Sequence, residues 1–111
     1  MQPIRQGDVI LKYISPANNA DGLPKKILHQ RKVLPHLTLA EGEVTGHRHR
    51  IADGQAELYE ENGTLYLRVL SETARLVHEE HKAIEVPQGI WQVRIQREYV
   101  GTEEVFRTVS D

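Results

Sequence analysis

The strongest short-range structural signal lies in residues 55–70, where Asn62-Gly63 separates two runs of alternating apolar and polar side chains. An Asn-Gly pair favours a two-residue turn with positive φ, which joins antiparallel strands. Folding there predicts these cross-strand pairs: Ala56 with Val69, Glu57 with Arg68, Leu58 with Leu67, Tyr59 with Tyr66, Glu60 with Leu65, and Glu61 with Thr64. The register puts aliphatic side chains on one face and an opposite-charge pair beside two tyrosines on the other.

Strand signals also dominate the rest of the chain. Residues 7–14 are β-branched and aromatic, and residues 36–41 and 90–100 alternate. Less regular patterns predict strands over 25–34 and 105–109, a loop over 15–24, and turns at 41–43, 53–54, 87–89 and 101–104. Signals spaced in this way predict an all-β fold over residues 1–111, a small single-domain β-barrel or sandwich of about seven to nine mostly antiparallel strands.

Residues 71–83 are compatible with three conformations. Apolar side chains recur at helical spacing behind a candidate N-cap, Ser71, and a helix would bring His78 and His81 together. A straight strand would point the two histidines to opposite faces, whereas a turn at Glu79-Glu80 would make them cross-strand neighbours. The extended segments on both sides favour the turn.

Composition limits the classes of protein to which the chain can belong. With 39% apolar and 27% charged residues and a formal net charge of −2, the chain has the balance of a soluble globular protein. Strong attraction to nucleic acid or to an acidic membrane is therefore not expected. The sequence contains no signal-like or membrane-spanning apolar run, which predicts cytoplasmic residence. It also contains no cysteine, which excludes disulfides and thiolate ligands.

Four of the six histidines occur in two pairs, Gly46-His47-Arg48-His49 and His78-Glu79-Glu80-His81. Residues two apart on a strand share a face, with Cα atoms about 6.5 Å apart, so one pair could grip one ion. We predict that His47, His49, His78 and His81 bind one divalent transition metal, either Zn, Ni, Fe or Cu. Glu57, Glu79 or Glu80 could complete the site. The alternative is that both pairs are solvated residues of charged surface loops.

The histidine pattern is compatible with either a catalytic or a structural metal. Two or three histidines with a carboxylate leave a position for water, as catalytic metals require, whereas four histidines make a closed structural site. The sequence contains no nucleophile elbow, phosphate loop or catalytic cysteine. We therefore assign no catalytic residue and expect any chemistry to depend on the metal. A competing hypothesis is a metal-free interaction module that recruits a protein, or associates with itself, through exposed strand edges.

Two resemblances to known families add to these predictions. Through Gly46-His47-Arg48-His49, Glu57 and Pro87-Gln88-Gly89, the chain resembles the cupins, small β-barrels that hold a metal with two histidines, a glutamate and a third histidine. The resemblance implies His47, His49 and Glu57 as ligands and metal-dependent chemistry on a small molecule. Gln92 stands in the region of the last cupin histidine, so His78 or His81 would replace that ligand.

The chain as a whole also resembles a group of small uncharacterised bacterial and phage proteins. The shared motifs are Gln-Gly-Asp-Val at 6–9, Gly-His-x-His at 46–49, His-Glu-Glu-His at 78–81 and Gln-Arg-Glu-Tyr at 96–99. This second resemblance implies no known activity.

Overall fold

The computed structural model of the protein describes residues 1–18, 33–42, 44–61 and 63–96. Within these ranges, seven antiparallel strands form the regular structure. No helix occurs within those ranges, and hence none that could cross a membrane. The strands are β1 (Ile4–Gln6), β2 (Val9–Ser15), β3 (Thr38–Glu41), β4 (Arg48–Asp53), β5 (Ala56–Glu61), β6 (Thr64–His78) and β7 (His81–Ile95).

The strands belong to one sheet in the order β1-β2-β7-β6-β4-β3, with β5 paired to β6 as well. Strands β6 and β7 form a long hairpin at the centre of the sheet. The first half of β6 pairs with β5, and its second half pairs with β4. The sheet curls into a half-barrel, which confirms the predicted all-β fold class.

The predicted hairpin register is confirmed in all six pairs between β5 and β6. Gly63 takes a φ of 82°, the left-handed conformation that the turn requires. Asn62 lies outside the described residues. The opposite-charge pair forms as well, with Arg68 Nη1 3.6 Å from Glu57 Oε1.

Of the three conformations considered for residues 71–83, the structure adopts the turn. Strand β6 ends at His78, Glu79 and Glu80 form the turn, and β7 begins at His81. His78 and His81 are direct cross-strand partners. The helical alternative is wrong, because the backbone of this segment pairs with β4 and β7 as part of the sheet.

The turn predicted at 87–89 is also wrong, because Pro87 and Gly89 lie inside β7. Here β6 bulges: its residues 70–72 stand opposite Gln88 alone, between the pairs Thr73 with Pro87 and Val69 with Gly89. A bulge is one of the few places in a sheet that tolerate a proline, which has no N–H to donate. Gly89 is needed for close packing, since a Cβ there would lie 2.6 Å from Cε1 of Tyr13.

The hydrophobic core lies on one face of the curled sheet, around Trp91. Its fully buried members include Leu11, Leu58, Leu67, Leu76 and Val86. A second buried cluster, formed by Tyr59, Tyr66 and Ile90, is separate from this core. Alternation of side chains along β5, β6 and β7 explains both clusters, since neighbouring residues point to opposite faces.

Several sequence predictions lie wholly or partly outside the described residues. They are residues 25–32 of the strand over 25–34, the end of the loop over 15–24, the last residue of the turn at 41–43, the end of the strand over 90–100, the turn at 101–104 and the strand over 105–109. Within the described part, Val33 forms an isolated bridge with Tyr59, and Leu34 N–H donates to the Leu58 carbonyl at 2.8 Å.

Candidate metal centre

Three neighbouring strands bring histidines together at one end of the sheet. His49 lies in β4, His78 is the last residue of β6, and His81 is the first residue of β7. The His78 ring lies at the centre of the group, with its centroid 4.2 Å from that of His49, 4.6 Å from that of His81 and 5.6 Å from that of His47. The hairpin turn and the pairing of β4 with β6 therefore assemble histidines that are about thirty residues apart in sequence.

The four predicted histidines form two overlapping groups. One potential ligand atom from each of His49, His78 and His81 lies within 4.8 Å of the others. A second group of the same kind contains His47, His78 and Glu79. His47 joins only the second group because it precedes β4, which begins at Arg48, so the alternation expected of one continuous strand does not apply to it.

His49 is the buried member of the cluster, with 5% of its surface exposed. Its ring Nδ1 lies 2.8 Å from Oε1 of Gln6, and its Nε2 lies 3.5 Å from Oδ1 of Asp8. Burial, reinforced by His78, lowers the pKa of His49 from 6.5 to about 4. The ring is therefore neutral at pH 7, which is the state that binds metals.

His78 is engaged differently, because its Nδ1 accepts a hydrogen bond of 3.0 Å from the backbone N–H of Glu80. A neutral imidazole that accepts at Nδ1 carries its proton on Nε2. To offer a ligand, His78 must therefore release the Glu80 amide or lose the Nε2 proton. Metal binding at this histidine therefore requires either a local rearrangement or deprotonation of the ring.

Of the carboxylates considered from the sequence, Glu79 and Glu80 lie at the cluster. Glu79 Oε1 accepts the backbone N–H of Arg48 at 2.9 Å, and this bond is the main reason that the pKa of Glu79 is lowered. Glu80 Oε2 lies 3.6 Å from Nδ1 of His47. Both carboxylates come from the exposed turn between β6 and β7.

Glu57, the carboxylate implied by the cupin resemblance, does not belong to this site. It pairs with Arg68 on β6, ten residues before His78. At about 3.3 Å per residue, this separation corresponds to roughly 30 Å of strand. Its carboxylate instead accepts the hydroxyl hydrogen of Tyr59 and faces Arg68.

The end of β1 and the turn between β1 and β2, for which the sequence pattern predicts no site role, pack directly against the histidines. Gln6 contacts His49, Asp8 lies beside its Nε2, and a Cβ on Gly7 would lie 2.6 Å from Nε2 of His81. The available signal was the Gln-Gly-Asp-Val motif at 6–9. It lies about forty residues before the nearest histidine pair, and only the tertiary fold shows that the two are adjacent.

The side chains of the cluster are of the types that bind Zn²⁺, Ni²⁺, Fe²⁺ or Cu²⁺. The cluster combines imidazoles with nearby carboxylates and has no thiolate. On the inner side of the cluster His49 is buried, whereas on the outer side His81, Glu79 and Glu80 are exposed. A bound ion would therefore be accessible to water on its outer side.

We find no significant match to this chain among curated proteins or solved structures. Residues 5–96 match a family model described as a domain of unknown function, DUF8820. The matched range contains every described strand except the first residue of β1, and all residues of the histidine cluster. The chain therefore belongs to the DUF8820 family.

Proposed function

We propose that this domain binds one divalent transition metal ion through His49, His78 and His81. The observation that carries the proposal is the convergence of three imidazoles, each from a different strand, with one potential ligand atom from each within 4.8 Å of the others. Zn²⁺, Ni²⁺, Fe²⁺ and Cu²⁺ all accept imidazole ligands.

The spacing requires only small movements. Two nitrogen ligands on one tetrahedral ion lie about 3.4 Å apart when each metal bond is about 2.1 Å long. Ligand atoms within 4.8 Å of one another must therefore approach by at most about 1.4 Å. Rotation of His81, which is exposed, and of His78, which is half-buried, supplies this adjustment, while buried His49 stays in place.

The proposed ion has a position for a small molecule. Three histidines leave at least one coordination position of a tetrahedral ion free, and the outer side of this cluster faces solvent. An ion held there by His49, His78 and His81 would supply Lewis-acid chemistry, lowering the pKa of a bound water or polarising a bound oxygen atom. We therefore favour metal-dependent chemistry on a small molecule over a purely structural ion.

The test is elemental analysis of the untagged protein after purification without chelator and after loading with Zn²⁺, Ni²⁺ or Fe²⁺. We expect about one ion per chain in the wild type and loss of that ion in a His49→Ala, His81→Ala double variant. His36→Ala is the matched control, because His36 is exposed and lies outside both ligand groups. Equal metal content in the wild type and the double variant would refute the proposal.

A further inference from the structure

Gln6 is a buried polar residue whose hydrogen bonds fix the orientation of its amide. Only 3% of its surface is exposed. Its Nε2 donates to two backbone carbonyls, that of Leu76 at 3.1 Å and that of Lys82 at 2.8 Å. Because both partners are acceptors, the nitrogen of the amide must face them. Oε1 of Gln6 therefore faces His49.

The orientation of Gln6 determines the tautomer of His49. An amide oxygen only accepts hydrogen bonds, so the 2.8 Å contact requires His49 to donate from Nδ1. A neutral ring that is protonated at Nδ1 has its lone pair on Nε2. Metal-binding histidines are commonly oriented in this way, by a partner that accepts the proton of the other ring nitrogen.

Nε2 of His49 lies near a second acceptor. Oδ1 of Asp8 lies 3.5 Å from this nitrogen, and both atoms carry lone pairs when the ring is neutral. Two such atoms repel each other unless a cation lies between them. Their separation is close to the roughly 3.4 Å between two ligands of one tetrahedral ion with bonds of about 2.1 Å.

We propose that the end of β1 and the β1–β2 turn are part of the metal centre: Gln6 keeps the His49 proton on Nδ1, and Asp8 is a fourth ligand beside Nε2. The inference rests on the proposed function and extends it to a site of three histidines and one carboxylate, to which a water or small molecule would bind as a fifth ligand, an expansion that catalytic zinc sites undergo. Gln6 is a positioning residue. Asp8 is half-exposed, so its carboxylate can turn toward an ion held by the three histidines.

The role of Gln6 is tested without metal. Long-range ¹H–¹⁵N correlation spectra of the chelator-treated full chain should show His49 as the neutral Nδ1–H tautomer at pH 7.5. In Gln6→Met, which keeps the side-chain length but removes the acceptor, we expect this tautomer to lose its preference and zinc affinity to fall about 10- to 100-fold. A protonated His49 ring or an Nε2–H tautomer in the wild type would overturn the proposal.

The role of Asp8 is tested by zinc titration and by the visible spectrum of the Co²⁺-loaded protein. We expect Asp8→Asn to lower zinc affinity at least tenfold and to alter the Co²⁺ spectrum, while the His49 tautomer is kept. Glu72→Gln removes an equal charge at an exposed position in the β6 bulge and should bind zinc like the wild type. Wild-type affinity and spectrum in Asp8→Asn would overturn its assignment as a ligand.

The two measurements separate this inference from the proposed function. A wild-type chain that shows the Nδ1–H tautomer but binds none of the metals would overturn the proposed function, and the assignment of Asp8 with it, while supporting the role of Gln6. Wild-type zinc affinity in both Asp8→Asn and Gln6→Met would overturn the inference and leave the proposed function standing.

Discussion

At the scale of single residues, the burial of His49 makes stability depend on pH. Its pKa falls from 6.5 in the unfolded chain to about 4 in the folded protein. Between these values the unfolded chain binds a proton that the folded protein does not, so stability present above pH 6.5 is lost as pH falls toward 4. A shift of this size corresponds to about 3 kcal/mol.

We expect urea unfolding of the chelator-treated protein to show this loss between pH 7 and pH 4. The His49→Gln variant, which has no titrating group at this position, should show a smaller loss over the same range. His36→Ala should follow the wild type, because it leaves His49 in place. Identical pH profiles for the wild type and His49→Gln would contradict the assignment.

Gly7 is the residue at which the β1–β2 turn approaches the histidines most closely. Its φ of 61° already disfavours other residues, and a Cβ would lie 2.6 Å from His81 Nε2. Gly7→Ala should therefore both destabilise the fold, by about 1 kcal/mol or more, and weaken zinc binding by displacing the His81 ring. Thermal melts and zinc titration measure the two effects.

Gly46 offers a matched control for this experiment. Its φ of 77° carries a similar backbone penalty, but a Cβ there meets nothing within 4 Å. We expect Gly46→Ala to affect stability alone. If both alanine variants bound zinc as the wild type does, contact between Gly7 and the site would have no functional effect.

At the scale of elements, the β5–β6 hairpin has a turn that depends on Gly63. Its φ is 82° and a Cβ would meet no atom within 4 Å, so any penalty comes from backbone conformation alone. Gly63→Val should cost on the order of 1 kcal/mol or more, because a β-branched residue is strained at positive φ. Gly63→Asn should cost less, since asparagine tolerates this conformation. Equal melting temperatures for the wild type and Gly63→Val would contradict the prediction.

At the scale of the whole molecule, a bound ion should link β4 and the β6–β7 hairpin with the β1–β2 turn. An ion that binds only the folded chain stabilises it by about 2.7 kcal/mol when its free concentration is 100 times Kd. For a domain of this size, that corresponds to an increase in Tm of about 10 °C or more.

Calorimetry with and without Zn²⁺ checks this expectation. The increase in Tm should disappear in the His49→Ala, His81→Ala variant and persist in His36→Ala. A zinc-induced increase of equal size in the double variant would indicate that the ion binds elsewhere.

Local patterns were sufficient where neighbouring residues decide the structure. The Asn-Gly turn and the flanking alternation determined the β5–β6 register, because cross-strand pairs next to a tight turn follow directly from the turn. Pro87 and Gly89 show the limit of such patterns. Both residues are typical of turns, but here they serve a bulge and close contact with Tyr13, which lies in another strand.

By itself, the sequence determined the all-β class, the hairpin and the supply of histidines as candidate metal ligands. Only the tertiary structure decided that His49, His78 and His81 form one group, that His47 joins another, and that Glu57 lies far away. It also brought Gln6 and Asp8 to His49, about forty residues along the chain. The reason is physical: a metal site depends on distances across strands, and these follow from sheet order and register, which spacing along the chain does not encode.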